Sequence, residues 1–456
     1  MKKIGFLLLL TLFLSGAFAA KSGWVSLFNG KNLDGWKVVN GNAEFKIVNG
    51  EIVGTSICDS PNSFLATTVN YGDFILEYEM KMERGLNSGV QIRSINDPAI
   101  MNGRVHGYQI ECDDSDRAWS AGIYDEARRG WLYPMEYNQA AKKAYKKGEW
   151  NSYRVECVGN TIRTWLNGVA CANLVDDMTA SGIICLQVHG IGTNKEVEGR
   201  TVSWRDIRIK TEKLNKEQKK TDAPEVSYLK NSLTKDEQAA GWKLLWDGKS
   251  LNGWVSAKDG VQPSKGWTIK EDELIANLPD NKGGGDMLTE KEYKNFVLEV
   301  DFKFTKGANG GIKYFIQPNP SGAGYSNIGC EYQILDDKVH PDAKAGINGN
   351  RTLASLYDLI PANSQKFDPA QAVKRSNGVG QWERARIEVN GNKVTHYLNG
   401  IKIVEFTRGT AEWKALVATS KFAKVKGFGE FANGHILLQD HGNEVHYRNI
   451  KIKELK

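Results

Sequence analysis

Two short segments set a carboxylate beside a carboxamide. In His106-Gly107-Tyr108-Gln109-Ile110-Glu111-Cys112-Asp113 the residues after the glycine alternate, so on a strand Gln109, Glu111 and Asp113 share one face. In Gly329-Cys330-Glu331-Tyr332-Gln333-Ile334-Leu335-Asp336 the pair is Glu331 and Gln333, in swapped order. An acid and an amide held side by side can move a proton and grip a polar ligand. Leu186-Gln187-Val188-His189-Gly190 and Leu438-Gln439-Asp440-His441-Gly442 each add a glutamine and a histidine one residue apart, and so also on one face. A lone histidine is more often structural, but its recurrence as Gln-x-His-Gly in both halves points to a site, since many apolar residues would satisfy packing. Asn87-Ser88-Gly89-Val90-Gln91-Ile92-Arg93 and Asn309-Gly310-Gly311-Ile312-Lys313-Tyr314-Phe315 bring a cation to each half, with Gln91 and Arg93 expected to face one way and Lys313 and Phe315 likewise.

A dense segment follows the first acidic strand. Asp116 to Trp131 crowds Asp125, Arg128 and Trp131 with further rings and guanidinium groups, and Leu356-Tyr357-Asp358 stands in the comparable place later. Such a mixture suits a sugar, whose apolar face stacks on rings while charged groups take its hydroxyls. There is no Ser-His-Asp order, phosphate loop or zinc motif. The run Asp113-Asp114-Ser115-Asp116 lacks the EF-hand spacing, which leaves a divalent cation open without supporting one.

These segments recur because the chain is a duplication. Trp24 to Trp36 answers to Trp242 to Trp254, Tyr71-Gly72-Asp73-Phe74 to Tyr293-Lys294-Asn295-Phe296, Trp165-Leu166-Asn167-Gly168 to Tyr397-Leu398-Asn399-Gly400, and Val202 to Lys210 answers to Val445 to Lys453. Within each copy the apolar period is two, as in Phe74-Ile75-Leu76-Glu77-Tyr78-Glu79-Met80-Lys81, and Val158-Gly159-Asn160-Thr161 supplies a hairpin turn. The fold expected is all-β, two jelly-roll sandwiches in tandem, over residues 20–212 and 241–456. Residues 213–240, rich in Lys, Glu and Gln, read as a linker whose Thr234-Lys235-Asp236-Glu237 is a capping box for a short helix.

Bulk properties agree with an exported globular protein. Lys2-Lys3, an apolar run from Ile4 to Leu14 and small residues up to Ala19 make residues 1–19 a secretory signal, and no Cys follows for lipid anchoring, so the periplasm or cell exterior is expected. With 13 Trp the chain has rings to spare for sugar stacking, although most Trp are core. The net charge of +6 is weak and its basic residues are scattered, which excludes a nucleic-acid track. The apolar run is too short to span a bilayer, so no membrane insertion is expected. Six cysteines without Cys-x-x-Cys spacing exclude a zinc knuckle and leave a disulfide within the first half open.

The ordered set Leu27-Phe28-Asn29-Gly30-Lys31, Leu33-Asp34-Gly35-Trp36, Asn87-Ser88-Gly89-Val90, Gly148-Glu149-Trp150-Asn151, Trp165-Leu166-Asn167-Gly168, Gln439-Asp440-His441-Gly442 and Arg448-Asn449-Ile450-Lys451-Ile452-Lys453 resembles the 3-keto-disaccharide hydrolase family, in two tandem copies. The resemblance implies concanavalin A-like jelly rolls with the site on the concave sheet, and cleavage of glycosides already oxidised at C3. A C3 ketone acidifies the C2 hydrogen, so a base can remove it, the C1 substituent leaves, and water adds back, with no redox cofactor at that step. The acid–base pairs implied are Glu111 with His189 and Glu331 with His441, the enolate stabilisers Arg93 and Lys313, and the substrate-binding residues Gln91, Gln109, Asp125, Arg128, Trp131, Gln187, Gln333, Tyr357, Gln439 and Arg448. The first copy departs from the family at Val188, where Asp is usual, and the second at Gly310 and Phe315, where Ser and Arg are usual. The competing class is a non-catalytic, lectin-like carbohydrate-binding protein, since one fold serves both. A structural or surface-assembly role comes third.

Overall fold

Alternation becomes sheet. In a computed structural model describing residues 23–318 and 327–456, the strand Phe74–Met82 turns Phe74, Leu76, Tyr78, Met80 and Met82 into a core cluster and Glu77, Glu79 and Lys81 outward. The expected leader, residues 1–19, lies outside the described residues.

Each half is a two-sheet sandwich, so the fold class is all-β with two jelly rolls in tandem. In the first half a nine-stranded sheet built around Phe74–Met82 and Thr201–Lys210 packs on a seven-stranded one. The smaller sheet runs Gly130–Tyr133, Ile123–Glu126, His106–Asp113, Asn87–Ile95, Ile183–Val188, Ser63–Thr67, Trp36–Val39. In the second half an eight-stranded sheet packs on a five-stranded one, ordered Trp254–Ser256, Met287–Tyr293, Gly434–Leu438, Asn309–Pro318, Asn327–Leu335. Among the described residues every strand pair is antiparallel except Glu225–Ser227, which lies parallel to Val169–Val175. All six cysteines are buried free thiols.

The repeated motifs turn out to be joints. The indole N–H of Trp36 donates to the Leu27 carbonyl at 2.6 Å, and Trp254 does the same to Leu245 at 2.6 Å. Asn29 accepts from the Lys31 amide at 2.8 Å, as Asp247 does from Lys249 at 2.8 Å, and each is followed by a left-handed glycine, Gly30 or Gly248. Between the halves, Thr234 caps the helix Lys235–Ala239 with both bonds of the box. The residues before it bind both sides: Arg384 donates to the Ser227 carbonyl at 2.9 Å, and the Tyr228 hydroxyl donates to the Leu132 carbonyl at 3.0 Å.

One irregularity repeats and governs the site. The strand Asn87–Ile95 slips register between Ile92 and Ile95, and Asn309–Pro318 slips between Tyr314 and Gln317. In each bulge one residue takes a left-handed backbone, Arg93 at φ 45° and Phe315 at φ 56°. A glycine on the adjacent segment makes room: a Cβ on Gly182 would fall 2.5 Å from the Arg93 carbonyl carbon, and one on Gly434 would fall 2.4 Å from that of Phe315. Gly434→Ala should therefore destabilise the second half by about 1–3 kcal/mol, as overpacking does in a tight interior. Chemical denaturation of the wild-type and variant chains checks this, and an unchanged midpoint would mean that the bulge yields freely.

Candidate functional site

On the second half's smaller sheet, Lys313 pairs directly with Glu331 and Gly311 with Gln333. The glycine is required, because a Cβ on Gly311 would lie 2.3 Å from Glu331 Oε1. Glu331 therefore lies folded against the sheet and is buried. With its amide oriented by its neighbours, Gln439 donates to Glu331 Oε1 at 3.2 Å and accepts from Lys313 Nζ at 3.0 Å, tying acid to cation. Gln333 is oriented in the same way toward Glu331 Oε1, at 3.2 Å. Asp286, at the start of Met287–Tyr293, stands 3.8 Å from Lys313 Nζ and accepts from the Asp440 amide at 2.9 Å. Tyr357 donates its backbone N–H to the Glu331 carbonyl at 3.0 Å and its hydroxyl to Asp342 at 2.8 Å, and Lys421 Nζ lies 4.1 Å over its ring. Arg351 bonds Asp342 at 3.0 Å and Asp358 at 2.5 Å.

Burial sets the electrostatics here. The Glu331 carboxyl is held above its ordinary range by loss of water, against the opposing pull of Lys313 and Lys421 and with further push from Asp286 and Asp342. Burial likewise raises Asp286, which feels the charges of both Lys313 and His441. Lys421 is lowered by burial, with Glu331 pulling the other way. The exposed His441 thus interacts with Asp286, and among the described residues no hydrogen bond joins it to Glu331.

The first half builds the corresponding face from amides. Gln91 and Gln187 both donate to Gln109 Oε1, each at 2.8 Å, Gln109 donates to Glu111 Oε2 at 2.9 Å, and Asn87 donates to Glu111 Oε1 at 2.6 Å. All four glutamine and glutamate side chains of this chain of bonds are buried. Burial pushes the Glu111 carboxyl up to about 7, although the two amide donors favour its charge. Arg117 lies 4.0 Å from Glu111 but bonds Asp113 at 2.8 Å, with its guanidinium over the rings of Trp119 and Trp131. His189 is exposed, held by a 2.8 Å contact of Nδ1 with the Gly190 carbonyl, and shares a hollow of about 330 Å³ with Asn87 and Asp113. Among the described residues no hydrogen bond joins His189 to Glu111.

Parity thus brings together Gln91, Gln109, Glu111 and Gln187 in one half, and Lys313, Glu331, Gln333, Gln439 and Tyr357 in the other. It fails for Arg93. The bulge throws that side chain off the shared face, and it donates to the Gly72 and Gly159 carbonyls and to Asp73, at 2.8, 2.8 and 2.9 Å. Arg93 is a tie between strands and holds no place beside Glu111. Phe315 leaves the Lys313 face for the core in the same way. Asp125 and Arg128 are also displaced: Asp125 pairs with Tyr108, whose ring points to the core, and its carboxylate is buried between Arg128 and Arg129, both at 2.6 Å. Trp131 is packed edge-on against Trp119 and Tyr124, with the Arg117 guanidinium 5.1 Å over its ring, so it supports that guanidinium. Arg448 lies on the larger sheet, 4.0 Å over the Trp382 ring, matching Arg205 over Trp150. Sequence reasoning passed over Asp286, Asp342, Arg351 and Lys421. A run of three glycines ahead of Asp286 was the one local signal, while Lys421 lies far along the chain from every motif.

Among the described residues no group of three or more His, Cys, Asp and Glu is arranged to hold a metal ion, and no helix is long and apolar enough to cross a membrane.

Comparison with known proteins gives a consistent family. The profile of the 3-keto-alpha-glucoside-1,2-lyase-like domain matches residues 23–210 and again 241–453. A 3-keto-disaccharide hydrolase of Bacteroides thetaiotaomicron is 37% identical over 261 residues, spanning 50% of this chain and 86% of that protein. A crystal structure of a candidate glycosyl hydrolase from Parabacteroides distasonis is 29% identical with a TM-score of 0.43, covering 50% of this chain and 100% of that one. A second such structure from the same organism is 24% identical with a TM-score of 0.34, covering 47% and 99%.

The raised Glu111 carboxyl has a consequence for stability. The folded chain takes up its proton near pH 7, whereas the unfolded chain does so near the ordinary 4.5, so acidification across that window favours the folded state and the gain is lost as pH rises through 7. In Glu111→Gln the rise in Tm between pH 8 and pH 5 should shrink by a few degrees, at about 2–4 °C per kcal/mol for a domain of this size. Scanning calorimetry of both proteins at several pH values checks it, and parallel curves would remove Glu111 as the titrating group.

Proposed function

The chain belongs to the 3-keto-alpha-glucoside-1,2-lyase-like family, whose members act on glycosides, and from that premise we propose that it cleaves 3-keto-glycosides, 3-keto-disaccharides among them, by elimination across C1–C2 followed by hydration. The observation that carries the reading is the convergence of a buried carboxylate, an ammonium and a second carboxyl on one sheet face: Glu331, Lys313 and Asp286.

Glu331 takes the C2 proton. The electron pair of that C–H bond moves into a C2–C3 double bond, and the negative charge falls on the former ketone oxygen, beside the Lys313 ammonium and the Gln439 amide. The pair then returns, restoring the ketone, forming a C1–C2 double bond and expelling the C1 oxygen. Asp286, with His441 beside it, supplies the proton to that leaving oxygen. Water adding to C1, with a proton returned to C2, completes a net hydrolysis. The electrons that leave C2 end on the departing oxygen, so the step needs no external oxidant or reductant. Burial aids the base, because a carboxylate raised toward neutrality holds an abstracted proton better than an ordinary one. The leader-like residues 1–19 support an enzyme acting outside the cytoplasm, periplasmic or secreted.

Release of the aglycone from a 3-keto-glucoside tests the reading. The wild-type chain should release it and leave the unoxidised glucoside intact. Glu331→Gln and Lys313→Met should each lower kcat/KM by about 10²–10⁴-fold, the usual worth of one positioned proton-transfer or charge-stabilising group. The acid limb of the wild-type pH profile should lie above the ordinary carboxylate value of 4.5, because the base must be ionised and its carboxyl is raised. Equal turnover by all three proteins would end the assignment.

A further inference from the structure

We propose that Asp440 is the positioning residue for the leaving-group acid: its carboxylate and its backbone N–H together hold Asp286 at the Glu331 face, and it acts on the substrate only through Asp286. The inference rests on the assignment of that acid to Asp286.

Asp286 follows three glycines, Gly283-Gly284-Gly285. Glycine has the widest choice of backbone conformation, so the residue after such a run has no fixed place unless something else supplies one. Here the ties come from outside the loop. Asp440 Oδ2 accepts from the Gly285 N–H at 2.7 Å, and the Trp267 indole donates to the Gly285 carbonyl at 3.0 Å, so the last glycine is held on both sides. The Asp440 N–H then donates to the Asp286 carboxylate at 2.9 Å. One residue thus grips the acid and the backbone that carries it. Asp440 Oδ1 is itself fixed by the Asn277 side-chain amide and by the Gly442 N–H at 2.8 Å, and Asn277 accepts in turn from the Gly283 N–H at 3.0 Å. Asn277 is 1% exposed and the Asp286 side chain 31%, so the clasp closes in the interior while the acid it holds reaches solvent. An aspartate bonded to the N–H two residues ahead is an ordinary turn device, and that bond alone would argue for nothing. The bond to Gly285 is different, since it crosses from the end of Gly434–Leu438 to the start of Met287–Tyr293. With three donors on its two oxygens, Asp440 is a fastening for the acid beside it.

The other copy lacks the whole device. Strand register aligns the halves: Leu186 pairs with Leu65 as Leu438 pairs with Met287, and Val202 pairs with Gly54 as Val445 pairs with Ala276. Counting along from those pairs, Phe64 stands for Asp286, Val188 for Asp440 and Thr55 for Asn277. Val188 is buried and packs on the neighbouring strand, so closely that a Cβ on Gly54 would fall 2.4 Å from its Cγ2. It also pairs with Ser63 in the ladder, so in the first half ordinary strand pairing joins the two segments and no side chain has to. The acid, the aspartate that grips it and the amide that anchors the aspartate are absent together, as expected of parts that serve one purpose.

The test gives the full chain two 3-keto-glucosides: one of nitrophenol, whose anion departs without a proton, and a 3-keto-disaccharide, whose departing sugar oxygen needs one. Asp286→Asn sets the signature of a missing acid. Asp440→Asn should reproduce it, with a loss in kcat/KM about tenfold or more greater on the disaccharide than on the nitrophenyl glucoside, because a displaced acid fails only where a proton is required. Disaccharide recovered from Asp440→Asn in heavy water should carry deuterium at C2 above the level found with Glu331→Gln, since the base still works while expulsion waits. Asn277→Ala opens the clasp from its far end and should move the same ratio in the same direction, and it decides the matter if Asp440→Asn does not fold. Equal losses on the two substrates, as a merely structural role would give, or no loss on either, overturn the proposal. So do losses in Asp286→Asn that ignore the leaving group, which remove Asp286 as the acid and leave Glu331 as the base. A wild-type chain inert toward both substrates is a separate failure: it removes the assigned reaction, and this inference with it.

Discussion

A carboxylate removed from water on a sheet face must be met by donors or cations, or it gives up its charge. The two halves of this chain answer that demand differently. Glu331 is met by the ammonium of Lys313 through the Gln439 amide, and Asp286 balances the same lysine. Glu111 is hydrogen-bonded by Asn87 and Gln109, with the Arg117 guanidinium no nearer than 4.0 Å, and burial still raises its carboxyl to about 7. The first arrangement sets a carboxyl raised by burial beside a cation. The second builds a rigid row of amides, in which each group's orientation is set by the next.

Both rows depend on backbone that leaves space for them. Gly89 and Gly311 lie beneath the side chains of Gln109 and Glu331, which a Cβ would meet at 2.6 and 2.3 Å. The bulges farther along the same strands end the row by reversing parity. Their occupants differ, yet the load they carry is conserved: Arg93 bonds the Gly159 carbonyl of a hairpin turn in the first half, and in the second Arg408 donates to the matching Gly391 carbonyl while stacking 3.6 Å over the Phe315 ring. The guanidinium has changed its place in the sequence and kept its task. That exchange explains why the second copy tolerates Phe at the bulge.

Legibility in the sequence followed the same physics. Period-two alternation located Gln91, Gln109, Glu111, Glu331, Gln333 and Lys313 correctly because those stretches of strand are regular, and the jelly-roll class followed from the number of such stretches. Arg93 was misplaced because a left-handed residue inside a strand has no signature when it is not glycine. Asp125 and Arg128 look like ligand groups in sequence, since nothing there reveals that Asp125 is already shared by two arginines. Asp286 and Lys421 were invisible for a further reason: they reach the site from segments with no charged equivalent in the other half, so comparison of the copies passes over them.

The copies also differ where they touch, and this accounts for Arg448. On the larger sheet of the second half, Arg384 and Asp301 form a buried pair at 2.6 and 3.0 Å, with Asn449 donating to Asp301 at 2.7 Å and the Tyr228 ring 3.9 Å from the guanidinium. The equivalent positions in the first half are Ser152 and the part-exposed Glu79, bonded at 3.2 Å. A buried ion pair adds little net stability but penalises any docking that leaves one partner alone. Nearby, the Tyr137 ring of the first half closes over Gly400 so tightly that a Cβ there would fall 2.7 Å from it, whereas the matching Gly168 is open. Arg448 belongs to this junction, 3.8 Å from Asp301. Its family motif therefore marks the seam of the molecule, and the cluster of Glu331, Lys313 and Asp286 lies on the opposite sheet, where those charges are present in one copy and absent from the other.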